Sequence, residues 1–167
     1  MPTASACGGT IGAMPYEIRQ GDIPGIQLRC DRRFGVSAAT LWRWLSEPAR
    51  MRRWLAEQVE EDPGEVRLTS RAEDGSPLVE RGRTVERRDG RLWILAFERL
   101  DDGWEMATEL RFELTPGEDS RLTVLQRGFE RLSLSRCLSV WELYLRRWRQ
   151  PLAQLSDDLE ADPADSG

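Results

Sequence analysis

Val36-Ser37-Ala38-Ala39-Thr40-Leu41-Trp42-Arg43-Trp44-Leu45-Ser46-Glu47-Pro48-Ala49-Arg50-Met51-Arg52-Arg53-Trp54-Leu55 is the stretch on which the fold is decided. Ser37 is placed to cap a helix whose Leu41, Trp42 and Leu45 lie on one side. Glu47-Pro48 ends that helix, because the residue before a proline is pushed out of the helical region, and the proline then opens a second short helix. The spacing therefore predicts two short helices meeting at a proline corner, with Trp42 and Trp54 as their apolar anchors.

On either side of the corner the periodicity changes to that of strands. Ile26, Leu28 and Cys30 alternate with polar residues, giving a first strand that reaches about Phe34. Val66 and Leu68 mark a second strand, and residues 78–87 a third that closes on the hairpin signal Arg88-Asp89-Gly90. Residues 91–100 form the fourth, ending at Asp101-Asp102-Gly103. In the fifth, Trp104, Met106, Thr108, Leu110, Phe112 and Leu114 face one way, and Glu105, Glu109, Arg111 and Glu113 face the other. Pro116-Gly117 turns the chain into a sixth strand from Arg121 to about Phe129. The acidic run Glu60-Glu61-Asp62 before Pro63-Gly64 reads as a loop.

The chain then carries Leu134, Leu138, Trp141, Leu145, Trp148, Leu152, Leu155 and Leu159, four and three apart, a long helix with one apolar stripe. Pro151 removes a backbone hydrogen bond within it, so a kink or break is expected between residues 147 and 151. Consecutive hairpins make an antiparallel sheet whose apolar face needs a cover, and this helix is the element long and apolar enough to provide it. The expected organisation is an N-terminal arm over residues 1–22, one α+β domain over 23–160 and an acidic tail over 161–167. Met14 is a second candidate start, which would make residues 1–13 an upstream extension.

Composition removes several chemistries. The net charge is −5, and basic and acidic residues are interspersed, which argues against a nucleic-acid surface. Every basic side chain is Arg, a bias of GC-rich bacterial genomes. Without His the chain has no Ser-His or Cys-His nucleophile pair and no His-containing metal site, and without Lys it has no Schiff-base amine. Three distant cysteines, Cys7, Cys30 and Cys137, show no metal or disulfide spacing and read as reduced thiols. With neither a signal-like N-terminus nor a membrane span in the sequence, a cytoplasmic protein is expected.

Leu41-Trp42, Ser46-Glu47-Pro48 and Trp54-Leu55 also stand in an order that resembles the opening of the START-like, or SRPBCC, superfamily. The branch most similar is the C-terminal domain of the activator of the heat-shock-protein-90 ATPase. Gly82, the run from Arg121 to Leu125, Gly128-Phe129 and the aromatic-led helix at Trp141 support the resemblance, which covers roughly residues 24–160. It implies a helix-grip fold: a curved six-stranded antiparallel sheet wrapped around the long C-terminal helix, with a cavity between them. It also implies either a small hydrophobic ligand, such as a lipid, polyketide or aromatic metabolite, or a chaperone partner and a role in stress. A cyclase- or aromatase-like enzyme is the third reading.

Trp93, Trp104, Met106, Thr108, Leu110, Phe112, Trp141, Tyr144, Leu145 and Trp148 are the candidate ligand-binding residues. For each apolar one the competing role is core packing. Thr108, on the buried side of its strand, needs a hydrogen-bond partner there and is the candidate polar group inside a cavity. Trp44, Arg50, Arg52 and Arg53 are candidates for a cavity entrance or partner surface, against the alternative of a solvated helix face. Arg81, Arg83 and Arg87 read as one outer face with Val79 and Val85, ion-paired to residues such as Glu98 or Glu109. No residue pair is spaced for acid-base catalysis, and Tyr144 alone merits a test. The expectation is non-enzymatic binding without metal or cofactor, by a monomer or weak homodimer.

Overall fold

The computed structural model describes residues 16–17, 25–72, 74–100, 108–128 and 134–162, with the side chains of 16–17, 25–27 and 134–147 excepted. The proline corner forms as its residues dictate. Helix α1 spans Ala38–Ser46, and the Ser37 hydroxyl accepts a 3.1 Å hydrogen bond from the Thr40 amide at its open end. Helix α2 spans Pro48–Trp54 and begins on the proline, where the missing N–H leaves no helical bond unmade. Trp54 Nε1 donates to the Trp44 carbonyl at 2.9 Å and stitches the two helices together.

Among the described residues eight strands make one sheet: β1 Tyr16–Glu17, β2 Gly25–Phe34, β3 Gln58–Asp62, β4 Glu65–Arg71, β5 Pro77–Arg88, β6 Leu92–Arg99, β7 Thr108–Thr115 and β8 Ser120–Arg127. Their order is β1-β2-β8-β7-β6-β5-β4-β3, antiparallel at every pairing. After Phe34 the chain leaves the sheet through α1 and α2, restarts at the far edge in β3, and returns strand by strand until β8 lies beside β2. Helix α3, Leu134–Ala161, packs more closely against β2 than against any other strand and meets α2. This is the expected α+β helix-grip architecture, a curved open sheet with two short helices after its first long strand and a C-terminal helix on its apolar face.

The sheet has two strands more than the six expected. β1 is a two-residue pairing with β2. β3 contains the acidic run that reads as a loop: it has a single apolar residue, Val59, which is buried, and its pairing with β4 around Gly64 (φ 75°) makes it a strand. Three consecutive acidic side chains on an edge strand oppose pairing with another chain. The expected break at Pro151 does not occur, since α3 runs unbroken through it. Trp148, Leu152 and Leu155 are fully buried around the proline, and their packing outweighs one absent hydrogen bond.

Two further expectations are corrected. Cys30 is disulfide-bonded rather than a free thiol. Arg87 does not share a face with Arg81 and Arg83, because the β5/β6 register shifts between Thr84 and Glu86. Val85 is the extra residue of this bulge and is 67 % exposed, and beyond it inward and outward positions exchange.

Ion pairs cover the convex face. Arg81 Nε lies 2.8 Å from Glu98, Arg127 bonds Glu109 at 3.0 Å, and Asp31 on β2 receives Arg29, Arg121 and Thr123. Burial opposes the Asp31 charge. The hydrogen bonds from Arg29 and Thr123 and the charges of Arg29 and Arg121 outweigh it, holding the carboxyl below its ordinary value of 3.8. A depressed carboxylate contributes stability that is present above the unfolded-state value and is lost as pH falls through the folded one. Urea midpoints are therefore expected to drop as pH falls below about 4, and more steeply in the native chain than in Asp31→Asn. Parallel curves for the two proteins would rule out this contribution.

Candidate functional site

Alternation within each strand assembles the concave face. Val66, Leu68 and Ser70 come from β4; Glu80, Gly82 and Thr84 from β5; Trp93, Leu95 and Phe97 from β6; Thr108, Leu110 and Phe112 from β7; and Val124 and Gln126 from β8, followed by Leu28 and Cys30 of β2. Gly82 is placed where a side chain would collide: a Cβ there would lie 3.1 Å from Leu95 Cδ2 and 3.3 Å from Val66 Cγ1. Its absence lets the central strands keep two large aliphatic residues on either side of it.

Trp148 of α3 is the helix's anchor on this face and is 0 % exposed. Phe112 meets it edge-on at 5.7 Å between ring centroids, Phe97 lies at 6.4 Å, and Trp93 continues the series 6.3 Å from Phe112. Its indole Nε1 donates to Gln126 Oε1 at 3.0 Å; Gln126 Nε2 donates to Thr108 Oγ1 at 2.8 Å; and Thr108 donates to the Phe97 carbonyl at 3.1 Å. One relay of three bonds thus ties the helix across β8 and β7 to β6, within a buried apolar layer where unpaired polar groups would be costly.

Of the sequence candidates, the structure brings Trp93, Thr108, Leu110, Phe112 and Trp148 together on one face. Thr108 does not wait for a ligand, because Gln126 and Phe97 occupy its hydroxyl. Trp104 and Met106, and the side chains of Trp141, Tyr144 and Leu145, lie outside the described residues. Trp44 is not a surface residue: it is 0 % exposed between α1 and α2, with the Arg50 and Arg53 guanidiniums 5.3 and 4.9 Å from its ring centroid. Arg53 also reaches Asp158 and Asp162 at 3.7 and 3.8 Å, joining α2 to the end of α3, and Arg52 donates to the Val59 carbonyl at 3.1 Å. These arginines hold the corner against its neighbours.

Three polar residues of the concave face escape a reading by residue type. Gln126 and Glu80 are both 0 % exposed, and the Ser70 hydroxyl is buried. Their signal is parity: Gln126 follows Leu122 and Val124 by twos, Glu80 precedes Gly82 by two, and Ser70 follows Val66 and Leu68. Glu80 lies opposite Arg99 on β6 and diagonal to Ser70, so a polar band crosses the sheet at the end remote from α1. At the opposite end the bulge brings Arg87 inward, 4.9 Å from the Trp93 ring and 5.6 Å from that of Trp42, where it clamps α1 to the sheet. Among the described residues no three His, Cys, Asp or Glu side chains cluster as metal ligands, and no helix is long and apolar enough to cross a membrane.

No protein of curated function matches the sequence. Solved structures do match in fold. A Mycobacterium smegmatis protein superposes with a TM-score of 0.71 at 12 % identity, over 87 % of this chain and 96 % of its own. A Chromobacterium violaceum protein gives 0.65 at 22 % identity, over 81 % and 98 %. A solution structure from Arthrobacter aurescens gives 0.68 at 12 % identity, over 82 % and 87 %. The family described as "Activator of Hsp90 ATPase homolog 1-like protein" matches residues 35–153, most of the chain and both halves of the grip, and the protein belongs to that family.

Proposed function

We propose that the protein binds a small, largely hydrophobic molecule between the concave face of the sheet and α3, with a hydrogen-bonding group at the ligand's end. The supporting observation is the Ser70 hydroxyl, which is buried yet has no hydrogen-bond partner among the described residues. A buried hydroxyl left unpaired costs about 1–3 kcal/mol, a cost that a ligand hydroxyl or carbonyl would remove. Around it, Leu68 and the inward positions of β6 and β7 offer apolar surface, so burial supplies affinity and the polar band supplies orientation.

Titration with 1-anilinonaphthalene-8-sulfonate is expected to give saturable, blue-shifted fluorescence at one dye per chain, competed away by 1-decanol. In Ser70→Val the dye should bind as before, while decanol competes about five-fold more weakly, the effect of one lost hydrogen bond. Dye fluorescence that never saturates would remove the reading.

The family match supports a second reading, a cofactor of a chaperone ATPase. The buried position of Trp44 leaves that role to the exposed arginines beside it, such as Arg53. If this reading holds, the purified chain raises the ATPase rate of a purified Hsp90, and Arg53→Glu abolishes the increase. An unchanged rate with the native chain would eliminate it.

A further inference from the structure

We propose that the site takes hydrophobic molecules whose head group is neutral and both donates and accepts a hydrogen bond, an alcohol or a phenol, and that Glu80 makes it reject the corresponding carboxylates. This rests on the ligand reading above and adds to it the charge of the head group.

Three polar groups stand at the end of the concave face remote from α1, each on a different strand. Glu80 of β5 is 0 % exposed, the Ser70 hydroxyl of β4 is buried, and so is Nε of Arg99 on β6. Strand register fixes their arrangement. Arg99 lies directly opposite Glu80 in the β5/β6 pairing, and Leu68 lies opposite it in the β4/β5 pairing, which makes Ser70 its diagonal neighbour. Toward α1 the inward positions of the same strands continue with buried Leu68, with Gly82 and with buried Phe97. A head group is therefore met by polar atoms, and the body behind it by an apolar floor.

Charge then decides the class. The formal charges of Glu80 and Arg99 cancel, so among the described residues the band has no surplus charge with which to receive an ion. A ligand carboxylate would give up its hydration in a buried space and face the like charge of Glu80. A hydroxyl meets neither cost. Its oxygen accepts from Ser70, whose hydroxyl has no hydrogen-bond partner among the described residues, and its hydrogen goes to Glu80. A carboxylate has about four acceptor positions, so Glu80 accepts this bond beside those it already makes. Diagonal neighbours in a sheet stand about 7–8 Å apart, a gap that two side chains and two hydrogen bonds meeting at one ligand oxygen close. A methyl ether in the same place can accept from Ser70 but has no hydrogen for Glu80.

Displacement of the neutral dye N-phenyl-1-naphthylamine from the full chain at neutral pH measures the preference. 1-Decanol is expected to displace the dye at a concentration about ten-fold below that of decanoate, with 1-methoxydecane between them. Glu80→Gln keeps the side chain's shape, removes the repelling charge and leaves that of Arg99 in excess, so in this variant decanoate should become the stronger competitor. Arg99→Gln leaves Glu80 in excess and should widen the native preference for decanol. A role of Glu80 in folding alone would move both competitors together and leave their ratio unchanged. Equal competition by decanol and decanoate in the native chain, a comparison that needs no variant to fold, overturns the inference while hydrophobic binding stands. So does an unchanged ratio in Glu80→Gln or Arg99→Gln. Failure of the dye and of all three competitors to bind overturns the ligand reading and this inference with it.

Discussion

Replacing Trp148 by alanine is expected to lower the unfolding free energy by about 3–5 kcal/mol, the range for deleting a buried indole from a packed core. Such a loss is large against the 5–15 kcal/mol typical of a whole domain. The magnitude follows from position: the ring is fully buried, touches Phe97 and Phe112, and is the described anchor of α3 nearest the middle of the sheet. Urea unfolding followed by far-ultraviolet circular dichroism gives the value without relying on the tryptophan signal being altered. The relay is separated from the packing by Trp148→Phe, which keeps most of the apolar surface but leaves Gln126 Oε1 without its donor. That variant should lose about 1–3 kcal/mol, and adding Gln126→Leu should lose little more, because the orphaned amide goes with it. Fully additive losses would show that the indole N–H and the amide do not act as a unit.

Most of the fold was legible because its signals are local. Ser37, Glu47-Pro48 and the period-two alternation ending at Leu114 each state a boundary or a face in a few residues, and the α3 stripe states which surface it covers. What escaped depends on partners distant in sequence. β3 has one apolar residue and exists because β4 pairs with it. The bulge at Val85 leaves the alternation of residue types in β5 unchanged while exchanging the faces beyond it, so Arg87 reads as outward and stands beside two indoles. Thr108 stands on the buried face that its alternation indicates, whereas its partner Gln126 belongs to a residue type that mostly lies on surfaces. Trp44 departs from a one-sided helix: α1 buries Thr40, Leu41, Trp42, Trp44 and Leu45, because it has the sheet on one side and α2 on another.

The burial of α1 on two sides sets the second large effect. Trp44→Ala is expected to cost about 3–5 kcal/mol, comparable with the loss at Trp148, although Trp44 stands outside the aromatic cluster of the concave face. Its ring is fully buried at the corner of α1 and α2, with the guanidiniums of Arg50 and Arg53 stacked over it at 5.3 and 4.9 Å. The backbone bond from Trp54 to the residue 44 carbonyl survives the substitution, so the loss reports the ring alone. A double-mutant cycle with Arg53→Ala resolves its parts. The Arg53 ion pairs to Asp158 and Asp162 are half-exposed and long, worth about 0–1 kcal/mol, and do not need Trp44. The stacking of Arg53 on the ring does need it, and should appear as a coupling of about 0.5–1 kcal/mol. A coupling of zero would mean that Arg53 serves α3 alone. A loss at Trp44 below 1 kcal/mol would mean that the corner closes without its central ring, leaving Trp54 and the proline to hold it.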